Sequence, residues 1–156
     1  MAIAITLAQY LGKQGISYDI LEHPRTQTSA RTAEACHVPG DRLAKGVVLK
    51  GENDYVLAVL PASCHISFSE LRALLGEDVR MVDEPEMGML FRDCEQGAVP
   101  AIGAAYGLRV VMDDSLANEP EVFIEGGDHS SIVRLTGASF NKLMADARHG
   151  RFAAHM

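Results

Sequence analysis

The stretch that decides the fold is residues 43–60, LAKGVVLKGENDYVLAVL. Two apolar runs, residues 43–50 and 55–60, flank the polar segment 51–54. Strand-forming residues on either side of a short polar turn predict a β-hairpin. The apolar character of the first run also predicts a strand that is buried on at least one face.

The regions around this hairpin mix helical and strand patterns. Apolar residues at helical spacing before Gly15 predict a first helix, and alternation over 16–21 predicts a strand that ends at His23-Pro24. Further strands are predicted over 79–82, 108–112, 121–125 and 132–135, and further helices over 30–37, 67–76, from 83 onward and over 138–147. Because strands and helices do not follow a strict βαβ alternation, the fold class is expected to be α+β with a mixed sheet.

Length and composition predict one globular domain over residues 1–156. Hydrophobic residues make up 47% and charged residues 22% of the chain. These values are close to the globular average and exclude intrinsic disorder. The end of the chain, about 149–156, reads as a loose basic tail.

The chain has no segment that predicts export or membrane insertion. No stretch reaches the roughly 20 apolar residues needed to cross a bilayer, and its start lacks the pattern of a secretory signal. The three cysteines, Cys36, Cys64 and Cys94, are too few and odd in number for the disulfide framework of a secreted domain. The expected location is the cytoplasm, with no membrane partner.

The formal net charge is −7, from 14 Lys and Arg residues against 21 Asp and Glu residues. Proteins that hold long stretches of nucleic acid present a clustered basic face. The acidic balance therefore excludes a broad phosphate-binding surface and restricts any nucleic-acid contact to a small area.

Lys45 is the first candidate for chemistry because it lies near the start of the apolar run 43–50. An ammonium group in a buried strand must extend toward solvent, pair with a carboxylate or face a cleft, since an unpaired buried charge is unfavourable. A lysine that leans out at a strand end and a lysine that faces a binding cleft both explain the sequence.

A loop of small residues is the second candidate. Gly97, Ala98, Val99 and Pro100 open this loop, and small side chains leave backbone N–H groups accessible. Such N–H groups can hold a carbonyl oxygen or a developing oxyanion. A tight turn packed under a helix is the alternative and is the commoner role of a Gly/Pro cluster.

A glycine turn after an apolar strand is the third candidate. Gly127 and His129 follow the strand predicted over 121–125. A histidine at this position is well placed to face a pocket, and imidazole donates or accepts hydrogen bonds at neutral pH. A histidine in a surface turn explains the same residues.

Several common chemistries lack their motifs. The chain has no paired Cys/His motif for zinc, no nucleophile elbow, no Walker loop and no dinucleotide-binding glycine motif. Cys94 is the candidate nucleophile, but the neighbouring Asp93 and Glu95 are expected to raise the pKa of its thiol. We therefore interpret Cys94 as structural, with a thiol-dependent hydrolase or redox protein as the alternative.

Lys45, the 97–100 loop and the Gly127/His129 turn together resemble the YbaK/EbsC family. These proteins are freestanding aminoacyl-tRNA editing domains, similar to the insertion editing domain of bacterial prolyl-tRNA synthetase. The resemblance extends over nearly the whole chain. It implies a single domain with a mixed, barrel-like sheet surrounded by helices, no metal and no cofactor.

The resemblance also implies roles for individual residues. A lysine at this strand position is required for editing in the family, so Lys45 is expected to be catalytic. The family loop, Gly-x-x-x-Pro, holds the aminoacyl end; here Gln96 stands at the first glycine position and residues 97–100 match the remainder. Gly127 and His129 are expected to contribute to substrate binding.

The activity implied by the resemblance is hydrolysis of the ester bond of misacylated tRNA. The expected substrate is tRNA-Pro or a related tRNA that carries Ala, Ser, Thr, Cys or 2-aminobutyrate. The acceptor end of that tRNA is the expected partner, and an aminoacyl-tRNA synthetase is a further one. A non-catalytic module that binds nucleotides or tRNA ends is the alternative from another functional class.

Overall fold

The computed structural model describes residues 3–155. The helices are α1 (Ile5–Lys13), α2 (Ser29–Ala35), α3 (Phe68–Leu75), α4 (Glu84–Leu90) and α5 (Gly137–Leu143). The strands are β1 (Asp19–Glu22), β2 (Leu43–Lys50), β3 (Tyr55–Pro61), β4 (Cys64–Ile66), β5 (Arg80–Met81), β6 (Arg109–Asp113), β7 (Glu121–Glu125), β8 (Ser131–Thr136), β9 (Arg148–Gly150) and β10 (Ala153–His155). No helix within residues 3–155 is long and apolar enough to span a membrane.

An eight-stranded mixed sheet forms the framework of the domain. Its strand order is β1-β8-β7-β2-β3-β6-β9, with β5 paired to β2 beside this path, and β4 and β10 form a second sheet of two strands. The β2–β7, β3–β6 and β6–β9 pairs are parallel, and the others are antiparallel. The expected α+β domain with a mixed sheet and surrounding helices is therefore confirmed.

The predicted hairpin is the centre of this sheet. β2 and β3 pair antiparallel, with Lys45 opposite Leu60 and Lys50 opposite Tyr55. The N–H of Gly51 donates to the carbonyl oxygen of Asp54 (2.8 Å) and closes the turn. Because both strands also have parallel partners, β2 and β3 are interior strands, which explains why their apolar character was the clearest signal in the sequence.

The two faces of the sheet are covered differently because side chains alternate between them along each strand. One face packs against α1, α5 and the loop that contains Val99, and forms the largest buried cluster. The opposite face carries two smaller clusters. One of them lies under α2 and includes Leu43 and Phe123, and the other lies against α3 and the β4–β10 sheet and includes Leu60 and Phe152.

The end of the chain is not a loose tail. β9 pairs with β6 and β10 pairs with β4, and the side chain of Phe152 between them is fully buried. The expectation of a loose tail over about 149–156 is therefore wrong for residues 149–155, and Met156 lies outside the described residues. The sequence pattern did not predict these strands because the segment is short and basic, and its one large apolar residue, Phe152, is the one that anchors it in the core.

Three of the five helices, α2, α4 and α5, begin at a residue whose side chain accepts a hydrogen bond from the first turn, and α1 and α3 begin without one. Thr28 and Asp83 accept hydrogen bonds from the first turns of α2 and α4, as N-cap residues do. The last helix is shorter than the predicted 138–147, because α5 ends at Leu143 and residues 144–147 form a turn that leads into β9.

Candidate active site at the end of β7

Lys45 lies where the two smaller clusters of buried side chains meet. Its cross-strand neighbour Leu60 belongs to the cluster against α3, and Leu43, two residues earlier on the same face, belongs to the cluster under α2. The side chain is half-buried. Burial lowers the pKa of Lys45 below its ordinary value, and the interaction with Cys64 opposes this shift. Within residues 3–155 no carboxylate forms an ion pair with Lys45, so its ammonium group is open to an anionic ligand.

Glu125 occupies the position next to Lys45 on the neighbouring strand. The parallel register pairs Leu43 with Phe123 and Ala44 with Ile124. Lys45 and Glu125 are the next residues of the two strands, and they belong to the same face as Leu43 and Phe123 because side chains alternate along a strand. Glu125 is not among the site residues predicted from the sequence. The available signal was an acid at the end of the otherwise apolar run 122–124, directly before two glycines.

The Glu125 carboxyl group is in an unusual environment. The residue is 2% exposed, and burial raises the pKa of Glu125 to about 7, partly opposed by hydrogen bonding to the hydroxyls of Thr32 and Ser29 on α2. Asp128 raises it further. One carboxyl oxygen, Oε2, has no hydrogen-bond partner. Glu125 is therefore neutral in a large fraction of molecules at pH 7.

The loop and the turn predicted from the sequence are in direct contact. The N–H of Glu95 donates to the carbonyl oxygen of Gly127 (2.7 Å), and the Nε2–H of His129 donates to the carbonyl oxygen of Gln96. Gly97 and Gly127 adopt φ values of 79° and 111°, which favour glycine strongly. A Cβ at Gly127 would also lie 3.3 Å from the Cys94 sulfur. The two segments thus support each other's backbone at the end of β7.

The 97–100 loop offers fewer free N–H groups than expected. Ala98, Val99 and Pro100 are buried, and the N–H of Ala98 donates to the carbonyl oxygen of Glu95 (3.1 Å). The N–H groups of Gly97 and Val99 bond to no acceptor in the described part of the chain. Ala98 therefore closes the turn, and two donors remain for a ligand.

The His129 side chain is buried against the loop and does not face an open pocket. The residue is 4% exposed, with φ of 62°, and because a carbonyl oxygen only accepts, the contact with Gln96 assigns the proton to Nε2. Its own carbonyl oxygen accepts from the N–H of Thr26 (3.1 Å). The Thr26 hydroxyl lies 2.6 Å from that of Thr32, so His129 links the loop to the segment that precedes α2.

The structure brings the loop and the turn together and connects them to Lys45 through β7. Glu125 lies beside Lys45, and Gly127, two residues later, contacts the loop. A cavity of about 230 Å³ borders the loop on the side of α4, and its lining includes Met87 and Val99 but not Lys45. A larger cavity of about 280 Å³, between α1 and α5, contains none of the predicted site residues.

The family model that describes aminoacyl-tRNA editing domains matches residues 23–143. This range covers more than half of the chain and includes Lys45, the 97–100 loop and the Gly127/His129 turn. The chain belongs to the aminoacyl-tRNA editing domain family.

A proline–tRNA ligase is a relative of this editing domain. The chain is 32% identical over 63 residues to the proline–tRNA ligase of Thermosipho africanus (strain TCF52B), a match that covers 40% of the chain and 11% of the ligase. The matched segment therefore spans about a tenth of that ligase's length.

Two solved structures have the same fold. One is described as a candidate trans-editing enzyme for prolyl-tRNA synthetase, with a TM-score of 0.84 and 23% identity, over 97% of this chain and 96% of that one. The other is a hypothetical protein, with a TM-score of 0.83 and 18% identity, over 96% of this chain and 99% of that one. At these identities the likeness concerns the fold.

Cys94 of this editing domain is held as a neutral thiol. Burial raises its pKa to about 12, an effect that hydrogen bonding to Tyr106 opposes and the Asp93 carboxylate reinforces. The sulfur lies 3.3 Å from the Tyr106 hydroxyl and 3.5 Å from the Asp93 carboxylate. The direction of the shift agrees with the structural interpretation of Cys94, although burial rather than charge is the main cause.

Proposed function

We propose that this editing domain hydrolyses the ester bond that joins a wrong amino acid to tRNA. Lys45 is the proposed catalytic residue, and residues 97–100, Gly127 and His129 are proposed to bind the aminoacyl end. The proposed substrate is tRNA-Pro or a related tRNA, reached through its acceptor end, with a synthetase as a further partner. We also propose a cytoplasmic location, where aminoacyl-tRNA is made.

The residue types suit this reaction because an aminoacyl ester is already activated. Water attacks the carbonyl carbon and forms a C–O bond, the tetrahedral oxyanion collapses, and the bond to the ribose oxygen breaks. The proton lost by the water ends on that ribose oxygen, with the neighbouring ribose hydroxyl as its carrier. The protein needs to position the ester and stabilise the oxyanion, and it needs no nucleophile of its own.

Each proposed contact uses a group that is free to make it. The Lys45 ammonium group is assigned to the terminal adenosine phosphate or the ester region, since its environment contains no carboxylate partner within residues 3–155. The N–H groups of Gly97 and Val99 are assigned to the carbonyl oxygen. Gly127 and His129 are proposed to border the same end of the substrate, since both contact the backbone of the loop.

Specificity is proposed to come from exclusion of larger side chains. A hydrophobic pocket separates amino acids that differ by one methylene by only about 1–3 kcal/mol. Synthetases for small substrates therefore need a second hydrolytic step. The proposed substrates carry Ala, Ser, Thr, Cys or 2-aminobutyrate, and cognate proline is excluded.

The half-buried, unpaired Lys45 within a matched editing domain is the observation that carries this proposal. The test is release of amino acid from a panel of tRNA-Pro and tRNA-Ala charged with alanine, serine, cysteine or proline. We expect turnover of at least one small amino acid and none of prolyl-tRNA-Pro. Stoichiometric binding of these tRNAs without release would instead identify a non-catalytic module that binds tRNA ends.

A further inference from the structure

The substrate of the proposed reaction has a third polar group besides its phosphate and its carbonyl oxygen. An aminoacyl ester carries an α-amino group that is largely protonated near neutral pH. Lys45 and the loop N–H groups are hydrogen-bond donors, so none of them can accept a bond from an ammonium group. The inference developed here rests on the proposed function, because it concerns the same ligand.

Acceptors near the end of β7 are mostly in use. The two carboxylate oxygens of Asp128 accept from the N–H of Ser130 (3.0 Å) and the hydroxyl of Ser131 (3.2 Å). The Glu95 carboxylate pairs with Arg25 (2.6 Å). Within residues 3–155, two buried side-chain atoms lack a hydrogen-bond partner, Oε2 of Glu125 and Nε2 of His23. His23 follows β1, which is separated from β7 by β8.

A buried carboxyl oxygen without a partner is unfavourable, so its retention calls for an explanation. Glu125 is 2% exposed and lies beside Lys45 on β2. Gly127, two residues further, holds the loop that is assigned to the carbonyl oxygen. Along β7, Glu125 thus follows the segment that pairs with β2 and precedes the glycine that contacts the loop.

We propose that Glu125 accepts a hydrogen bond from the α-ammonium group of the aminoacyl ester, which makes it a binding residue for the amino acid. Because Oε2 is buried, the ammonium group reaches it only after a local rearrangement of the residues that cover it. The ammonium group then replaces part of the solvation that Glu125 lost on burial and favours the carboxylate form.

The surroundings of Glu125 allow this change of charge. On α2 it faces the hydroxyls of Ser29 and Thr32, and the Cys36 thiol lies close enough for its pKa to be raised by Glu125. On its other side the charged group is Asp128, three residues further along the chain, which disfavours the carboxylate. An added ammonium group would outweigh the effect of Asp128.

The test compares alanyl-tRNA with lactyl-tRNA, in which a hydroxyl group replaces the α-ammonium group at nearly the same size. Kinetics are measured for the wild type, for Glu125→Gln and for Glu70→Gln, a matched change on the exposed surface of α3. We expect the wild type and Glu70→Gln to prefer alanyl-tRNA about tenfold to a hundredfold, through KM. Glu125→Gln is expected to lose this preference while its rate on lactyl-tRNA stays near the wild-type value.

An equal loss of activity on both esters would overturn the proposal and indicate a structural or proton-transfer role for Glu125. Unchanged activity on both would overturn it as well. If Glu125→Gln does not fold, the wild type alone decides, since equal KM values for the two esters would contradict an ammonium-binding residue.

If the proposed function is wrong, the result differs from the outcomes above, because the wild type itself is inactive. If the wild type hydrolyses neither ester, binding of 3′-alanylamino-3′-deoxyadenosine and its lactyl counterpart is measured by calorimetry. Tighter binding of the alanyl compound, lost in Glu125→Gln, would then support the ammonium site without hydrolysis. Equal binding of the two compounds would overturn it.

Discussion

At the scale of single residues, Gly127 is the position where conformation and contact act together. Its φ of 111° is one that side chains rarely adopt, and a Cβ would lie 3.1 Å from the Ala4 Cβ. We expect Gly127→Ala to lower the free energy of unfolding by about 2 kcal/mol or more in urea titrations, and to reduce deacylation because the loop loses its support.

Gly76→Ala is the matched control, since Gly76 has φ of 70° but nothing lies near its Cβ position. It is expected to lower the free energy of unfolding by about 1 kcal/mol and to leave deacylation unchanged. Equal effects of the two substitutions would show that the contacts at Gly127 are unimportant.

Cys94 provides a second prediction at this scale. With a thiol pKa of about 12, only about one thiol in ten thousand is ionised at pH 8. We expect Cys94→Ala to keep wild-type deacylation rates, and we expect iodoacetamide to modify Cys94 far more slowly than the unfolded chain at that pH. Loss of activity in Cys94→Ala would instead support a thiol-dependent hydrolase.

The candidate site was partly predictable from single residues. Lys45 stood out because a charge within an apolar strand is unusual, and the loop stood out through its glycines and proline. Glu125 did not stand out, because ordinary surface turns also begin with an acidic residue after a strand. Its significance depends on the parallel register with β2 and on the cover provided by α2, and both are long-range features.

At the scale of elements, the last two strands are held by one carboxylate. Asp113, at the end of β6, accepts from the N–H groups of Phe152 and Ala153, both at 2.9 Å. We expect Asp113→Ala to lower the free energy of unfolding by about 1–3 kcal/mol, because two N–H groups lose their acceptor. Asp113→Asn keeps an acceptor oxygen and is expected to lower it less.

The same contacts predict how stability depends on pH. Burial opposes ionisation of Asp113, but the hydrogen bonds from Ser115, Phe152 and Ala153 outweigh it, so the pKa of Asp113 in the folded protein lies below its ordinary value. The stabilisation is therefore present above about pH 4 and is lost as the pH falls through the folded-state pKa. Urea titrations between pH 7 and pH 3 should show a smaller loss for Asp113→Asn than for the wild type. A loss as large in the variant would contradict this role.

Elements with a strong local signal were predicted best. The β2–β3 hairpin has a polar turn and two apolar runs, and both strands form as expected. The C-terminal strands have three residues each and depend on Phe152 and Asp113, which are distant partners. Their pairing also explains why α5 ends early, since the chain must turn after Leu143 to reach β6.

At the scale of the whole molecule, the net charge of −7 is compatible with contact only at the acceptor end of tRNA. Several arginines already pair with carboxylates, among them Arg25, Arg42, Arg72, Arg80, Arg109 and Arg134. On β2, the Lys50 ammonium group lies 4.1 Å from the centre of the Tyr55 ring. Lys45 is therefore the basic group of this strand that is left for a phosphate.

This distribution predicts a weak dependence of tRNA binding on salt. Contact with one to three phosphates of a single-stranded end gives a slope of about −0.7 to −2 in a plot of log K against log salt concentration. Filter binding or fluorescence titration between 50 and 200 mM salt, about a fourfold range, measures it. A slope steeper than about −5 would require a broad basic surface, which this charge distribution does not provide.

The most direct test of the proposed catalytic role is the rate of alanyl-tRNA-Pro hydrolysis by Lys45→Met. This variant keeps an apolar stem of similar length and removes only the ammonium group. Lys50→Met is the matched control on the same strand, and circular dichroism verifies the fold of both. The proposed role of Lys45 predicts a loss of about a hundredfold or more in kcat/KM for Lys45→Met and a rate near the wild type for Lys50→Met. A wild-type rate in a folded Lys45→Met protein would contradict the proposed mechanism.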